Sequence, residues 1–186
     1  MVAQEETKKK RFDLKKIRNL LIGLVVLLAI IKINKTVFFI LVFSVLTYLG
    51  KQIRGMFGLK MVVLDPLHFS AIMMVRYIGV KEAIILVAFN TLIVDFATAI
   101  ATDGTFANFF LFSSSAIISV TLLGGAAPVV FCTFAGLLYS IGYFMYRSVV
   151  RTQSQFEVVS KVTTSFIFTF LYGSFIGPLL GLLMSV

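Results

Sequence analysis

Long apolar runs separated by short polar breaks constrain this chain more than any other feature. Several runs approach or reach the 20 or so residues that a helix needs to cross the hydrocarbon core of a bilayer. The chain has 186 residues and is 59% hydrophobic, whereas soluble domains are about 45–50% apolar. Since the excess lies in these runs, the pattern predicts an all-α, multi-pass protein of the cell membrane.

The polar breaks divide the chain into a charged tail and one helical domain. Residues 1–16 are predicted to form a basic cytoplasmic tail, and residues 17–186 a single transmembrane helical domain. The predicted helices occupy residues 17–33, 35–50, 66–77, 82–101, 105–123, 126–146 and 161–184. Residues 51–64 mix basic and apolar side chains and are expected to form an interfacial connection. Seven spans follow, but six remain if the first run only lies on the membrane surface.

The basic residues predict the orientation of the chain. Seven of the 17 Lys and Arg residues lie within the first 18 residues, and the net charge is +9. With seven spans, 13 basic residues fall on the inner side and four on the outer side, which places the N-terminus in the cytoplasm. Because the basic tail lies directly before an apolar run, we expect it to attract anionic lipid headgroups and not nucleic acid.

One carboxylate lies inside an apolar run. Asp95 belongs to the predicted helix 82–101, and a charge at the centre of a spanning helix costs about 2.5–3.5 kcal/mol. Thr91, Asp95 and Thr98 recur at helical spacing, with Asn90 beside them, so one helix face is polar and could line a ligand cavity. In the alternative, the threonines bond their own backbone carbonyls and Asp95 only joins two helices.

Neighbouring helices offer further polar groups to Asp95. Arg76 is the best cation for an ion pair with it, although its position near a helix end favours a side chain that reaches the membrane surface. At least one of three consecutive serines on the next helix must face the interior, where packing is the favoured role. The residues predicted to bind a ligand are Asp95, Asn90, Thr91, Thr98 and Ser114.

Small residues recur at a spacing of four and predict close helix contacts. Such small-xxx-small patterns let membrane helices approach each other closely. The residues predicted to pack helices in this way are Gly173, Gly177, Gly181, Ala97 and Ala101.

The sequence offers little for catalysis. One histidine, His68, and one cysteine, Cys132, can form neither a metal cluster nor a disulfide framework. Asp95 is the only acid expected within a span, so a mechanism with two carboxylates lacks its second member. No Walker A motif occurs. We therefore expect no enzyme activity, no metal and no cofactor.

Part of the chain resembles two related membrane families. The residues that carry the resemblance are Asp65-Pro66-Leu-His-Phe, Arg76-Tyr-Ile-Gly79-Val, Leu92-Ile-Val-Asp95-Phe and Asp103-Gly104-Thr-Phe-Ala. They are similar to the rod-shape-determining membrane protein D family and to the S components of energy-coupling-factor transporters. The resemblance implies a six-helix S-component-like core, here with an extra N-terminal helix. The chain departs from the S components in residues 36–49, which lack the Ala-x-x-x-Ala face used for docking the coupling subunit.

Three functions follow from these features. The leading hypothesis is a non-enzymatic, S-component-like membrane subunit that binds a small molecule between helices for uptake with partner proteins. The first alternative is a membrane scaffold of the cell-shape or envelope type, which the small-residue ridge and the basic tail suggest. The second is a small ion or proton channel in which Asp95 titrates.

Overall fold

The structure is a computed structural model that describes residues 34–56, 66–97, 103–150 and 154–185. All of its regular elements in these ranges are helices, and we label them in chain order. They are α1 (Lys35–Met56), α2 (Leu67–Tyr77), α3 (residues 80–97), α4 (Asp103–Leu123), α5 (Pro128–Val150) and α6 (Gln155–Ser185). Two of them contain a π-helical turn, which lies at Phe89–Ile93 in α3 and at Tyr172–Ile176 in α6.

Four of these helices carry a segment long and apolar enough to cross a membrane. The segments are Lys35–Ile53, Gly104–Leu123, Pro128–Val150 and Gln155–Ser185. Large apolar side chains lie exposed on their outer surfaces, including Phe110, Ile141 and Phe175. Such surfaces belong in contact with lipid tails, so the predicted all-α membrane class is confirmed. The seven spans and the six-helix core with an extra N-terminal helix stay predictions, and the tail and helix 17–33 lie outside the described residues.

Three helix boundaries differ from the prediction by four residues or more. Helix α1 continues to Met56, so the expected interfacial connection begins at least one turn later. Helix α5 continues to Val150. Helix α6 begins at Gln155 and not at 161, because the Ser154 hydroxyl accepts a hydrogen bond from the Glu157 backbone N–H at 3.3 Å. This Ser-x-x-Glu pattern begins a helix by satisfying an amide that has no partner within the helix.

The chain divides into two compact units, Met1–Phe39 and Ile40–Val186. In the described part of the first unit, the Asn34 side chain accepts a hydrogen bond from the Val37 backbone N–H at 3.2 Å. This N-cap explains why α1 begins at Lys35.

Helix α2 lies at the centre of the second unit. Its eight residues from Leu67 to Met74 are all buried, so the helix is enclosed on every side. A helix that is buried all round belongs to the core of a bundle, and its 11 residues are too few to span a bilayer. Helices α3, α4, α5 and α6 contact it. It begins after Pro66, which supplies no backbone N–H and therefore fits a helix start.

Helices α1 and α3 run parallel. Ser44 contacts Asn90, and one to two turns later Lys51 contacts Asp95. Helix α4 then reverses direction, since Thr105 near its start lies 3.3 Å from Asp95 near the described end of α3. The ends of α1 and α3 and the start of α4 therefore lie at one level.

Helices α4 and α5 form an antiparallel hairpin. The Ser119 hydroxyl near the end of α4 donates to the Phe131 carbonyl near the start of α5. Gly124 closes the turn between them, because a Cβ there would lie 2.4 Å from the Val120 carbonyl oxygen. Only glycine tolerates that approach of the backbone to itself.

Candidate functional site

A buried ion pair joins α1 to α3. The Lys51 ammonium lies 2.5 Å from Asp95 Oδ1, and the two side chains are 6% and 13% exposed. The same ammonium donates to the Asn90 backbone carbonyl at 2.5 Å. Asp95 also accepts from the Thr105 hydroxyl, which lies 3.3 Å from its Oδ2. Each charge thus has an oppositely charged partner and a further polar contact. These interactions offset the free-energy cost of removing two charges from water.

The π-helical turn brings Asn90 and Asp95 to the same cation. The Val94 backbone N–H bonds the Phe89 carbonyl, five residues earlier, in place of the usual partner four residues earlier. Residues five apart therefore share a face here, and both Asn90 and Asp95 reach Lys51. Turns of this kind recur at functional sites. In a regular helix, a spacing of five would separate them by more than a quarter of the circumference.

Two buried oxygen atoms beside the ion pair have no hydrogen-bond partner among the described residues. Asn90 is fully buried and its Nδ2 donates to Ser44 Oγ and to the Leu86 carbonyl, both at 2.9 Å, but its Oδ1 is unpaired. Thr47 Oγ1 is also buried and unpaired. A buried polar atom without a partner costs about 1–3 kcal/mol. Asn90 also contacts Lys51 through its carbonyl, and Thr47 lies one turn before Lys51 on α1, so each residue offers an unused polar atom near the ion pair.

We call the residues around this ion pair the Lys51 cluster. Its members are Ser44, Thr47 and Lys51 of α1, Asn90 and Asp95 of α3, and Thr105 of α4. Lys51 lies two residues before the end of the apolar segment Lys35–Ile53, and Thr105 lies one residue after the start of Gly104–Leu123. The cluster is therefore near one end of these segments, where water-soluble molecules approach more easily than at the middle.

Only some of the predicted ligand-binding residues belong to the Lys51 cluster. Asp95 and Asn90 belong to the cluster, whereas the Thr91 hydroxyl donates to the Val87 carbonyl of its own helix at 2.7 Å. Ser114 is exposed, and its hydroxyl lies 3.4 Å from the Leu111 carbonyl. Thr98 lies outside the described residues. The structure thus joins two of the five residues to one site.

The cation that pairs with Asp95 is Lys51 and not Arg76. Arg76 is exposed near the end of α2, and its guanidinium carbon lies 5.7 Å from the centre of the Tyr77 ring. The sequence pattern predicts that Lys51 belongs to the interfacial connection of residues 51–64. It pairs with Asp95 because α1 continues past Leu49 and keeps Lys51 on the helix face of Ser44 and Thr47.

The glycine ridge of α6 contacts other helices of the same chain. A Cβ at Gly173 would lie 2.7 Å from Cys132 Cβ, and one at Gly177 would lie 2.8 Å from Pro128 Cβ. At Gly181 it would meet the Tyr77 hydroxyl at 2.6 Å. The ridge therefore faces α5 and α2. Ala101 and the side chain of Ala97 lie outside the described residues.

A second polar group lies deeper in the bundle, around His68. Its Nε2 is 2.8 Å from Ser115 Oγ, its Nδ1 is 3.4 Å from Thr169 Oγ1, and its ring stacks on Phe112 with centroids 4.9 Å apart. Ser115 and Thr169 lie near the middle of α4 and α6, so His68 is at mid-depth. Both ring nitrogens have a partner, so this group holds three helices together.

The sequence contained a signal for Lys51 that the apolar runs concealed. Ser44, Thr47 and Lys51 are spaced by three and four residues, which places them on one helix face. An apolar run with a polar face that ends in a lysine indicates a partner with the opposite charge on a neighbouring helix. Among the described residues, no group of three His, Cys, Asp or Glu side chains could hold a metal ion.

Comparisons of the chain with protein-family models, with curated proteins and with solved structures found no match. The resemblance to the S components and to the rod-shape-determining family therefore stays a prediction.

Proposed function

We propose that the protein is a non-enzymatic membrane subunit that binds a small polar molecule at the Lys51 cluster and delivers it, with partner proteins, for uptake. The observation that carries this proposal is a buried ion pair flanked by two unpaired oxygen atoms, Asn90 Oδ1 and Thr47 Oγ1. Ionisable residues within membrane helices commonly mark the path or the site of a polar substrate. Energy for uptake would come from partner subunits, as the resemblance to S components implies.

The geometry also suits a site that opens by helix movement. The cluster is built from three helices, and α1 contributes its Ser44, Thr47 and Lys51 side chains from one face. A shift of α1 away from α3 would separate Lys51 from Asp95 and expose every polar group of the cluster at once. Breaking the buried pair is costly unless a ligand replaces its interactions, so ligand binding and opening would be coupled.

The other two functions have less support. The glycine ridge that suggested a scaffold packs against Cys132, Pro128 and Tyr77 of the same chain, so it does not offer a partner surface. A channel that uses a titrating Asp95 has to accommodate the Lys51 ammonium 2.5 Å away, a positive charge that would repel cations.

Crosslinking in the host membrane separates these two functions from uptake. Recovery of an ATPase and a coupling subunit supports uptake, and recovery of envelope proteins alone contradicts it.

Thermal stabilisation by ligands tests the binding proposal directly. The full-length protein is purified in detergent and heated with a thiol-reactive dye, which reports unfolding because Cys132 is the sole cysteine and is fully buried. The panel contains anions, cations, zwitterions and neutral polar metabolites. A compound at 100 times its Kd should raise Tm by about 5 °C or more. The matched control is the neutral double variant Lys51→Met/Asp95→Leu, which should lose the shift. If no compound of any class shifts the wild type, the proposed function is wrong.

A further inference from the structure

Two oxygen atoms of α3 accept hydrogen bonds from the Lys51 ammonium. They are Asp95 Oδ1 and the Asn90 carbonyl, each at 2.5 Å. A primary ammonium has three N–H donors, so a ligand of this kind can make the same two contacts. Asn90 Oδ1 is fully buried on the same residue and has no partner among the described residues, so α3 also offers an acceptor that its own chain does not use.

A ligand ammonium that binds Asp95 has to displace the lysine side chain. The Lys51 side chain reaches α3 on a flexible four-carbon stem from a different helix. If a ligand ammonium takes its place on Asp95, the Lys51 ammonium has to find another anion, because its side chain is only 6% exposed. Thr47, one turn earlier on the same face of α1, adds an unpaired hydroxyl that can donate to that anion.

Charge balance then selects the class of ligand. A ligand with only a positive charge would leave Lys51 buried without a counterion, and one with only a negative charge would do the same to Asp95. Either case leaves an uncompensated charge in a medium of low dielectric constant, which is strongly unfavourable. A ligand that carries both charges pairs with both residues and adds no net charge.

We propose that the Lys51 cluster recognises a small zwitterion with a primary ammonium and an anionic group. The ammonium binds Asp95 and the Asn90 carbonyl, and the anion binds Lys51 and the Thr47 hydroxyl. This inference rests on the proposed function and gives its ligand class. The same chemistry occurs in free amino acids and in the headgroup of phosphatidylethanolamine, so the experiment has an arm for each source.

The first measurement compares matched compounds on the full-length protein, with Tm read through Cys132. The free arm uses β-alanine and the twenty L-α-amino acids, each beside its methyl ester and its N-acetyl derivative. The lipid arm compares lysophosphatidylethanolamine with lysophosphatidylcholine, whose quaternary ammonium has no N–H. We expect only compounds with both charges intact to raise Tm, by about 5 °C or more. The double variant Lys51→Met/Asp95→Leu should not show this rise. A shift in one arm identifies the source.

The second measurement tests the ammonium site without knowledge of the natural ligand. Lys51→Met removes the tethered ammonium and leaves its two acceptors, Asp95 and the Asn90 carbonyl. Methylammonium should raise the Tm of this variant by several degrees, whereas tetramethylammonium, which has no N–H, should not. The same concentration of methylammonium should leave the Tm of the wild type unchanged. Lys51→Gln replaces Lys51→Met if the latter cannot be purified.

The outcomes separate this inference from the proposed function. If only singly charged or neutral compounds shift the wild type and the double variant abolishes the shift, the cluster binds a ligand but the zwitterion inference is wrong. If methylammonium and tetramethylammonium act equally on Lys51→Met, the ammonium site is wrong. If no compound shifts the wild type, both proposals fail.

Discussion

At the scale of single residues, Lys51 and Asp95 depend on each other. Each charge is largely buried, and their contact at 2.5 Å compensates both. Removal of one partner from a buried pair costs about 3–5 kcal/mol, whereas replacement of both by apolar residues is often neutral or stabilising. We therefore expect Lys51→Met and Asp95→Leu each to lower Tm by about 10 °C, and the double variant to recover most of that loss.

Arg76→Gln is the matched control for this prediction. It removes a cation that is exposed at the end of α2, and exposed substitutions change stability by about 0.5 kcal/mol or less. Its Tm should stay within about 2 °C of wild type. Equal losses for Arg76→Gln and Lys51→Met, or additive losses in the double variant, would contradict the coupling of Lys51 to Asp95.

The same residues show what the sequence could predict about the site. Asp95 and Asn90 were identifiable because a carboxylate and an amide inside an apolar run require partners. The spacing of Ser44, Thr47 and Lys51 indicates a polar helix face, but the pairing of Lys51 with Asp95 was not identifiable, because it depends on where α1 ends and on which helix packs beside α3. A lysine 44 residues away along the chain can be assigned to Asp95 only once the packing of the two helices is known.

At the scale of helices, α5 and α6 approach each other through glycine. A Cβ at Gly173 would lie 2.7 Å from Cys132 Cβ, which is a rigid part of α5. Extra atoms in a packed interior cost about 1–3 kcal/mol. We expect Gly173→Val to lower Tm by several degrees. Gly125→Val is the control, since a Cβ there meets nothing within 4 Å. Equal Tm values for the two variants would show that α6 does not pack closely on α5.

The sequence pattern located the helices better than it located their ends. The small-residue ridge predicted a close contact, and the apolar runs predicted most helix centres. Helix α6 begins at Gln155 because the Ser154 hydroxyl caps it, a local signal that polar composition had concealed. The π-helical turn at Phe89–Ile93 has no comparable signal in the sequence, and it changes which residues share a face.

At the scale of the whole molecule, apolar runs predicted the membrane class but not the order of packing. Nothing in the composition of α2 distinguishes a central helix from a short peripheral one. Helix α2 is central because α3, α4, α5 and α6 pack around it and bury eight of its residues. His68 of this central helix accordingly lies near the middle of α4 and α6, whereas Asp95 lies near the end of α1.

The directions of the helices also predict the orientation of the protein in its membrane. The end of α1, the start of α4 and the turn at Ser154 lie on one side, while Gly125 lies on the other. The first side carries Lys51, Arg54, Arg147 and Lys161, whereas Arg76 and Lys81 lie toward the other. The positive-inside rule therefore predicts that the first side faces the cytoplasm. In a Cys132→Ala background, Gly125→Cys should react with an impermeant maleimide in intact cells, and Ser154→Cys only after permeabilisation. Both positions are exposed, so the opposite pattern of labelling would contradict this orientation.

The labelling also decides from which side of the membrane a ligand reaches the Lys51 cluster. With the predicted orientation, the cluster lies nearer the cytoplasmic surface, so uptake requires that a ligand reach it from the outer surface.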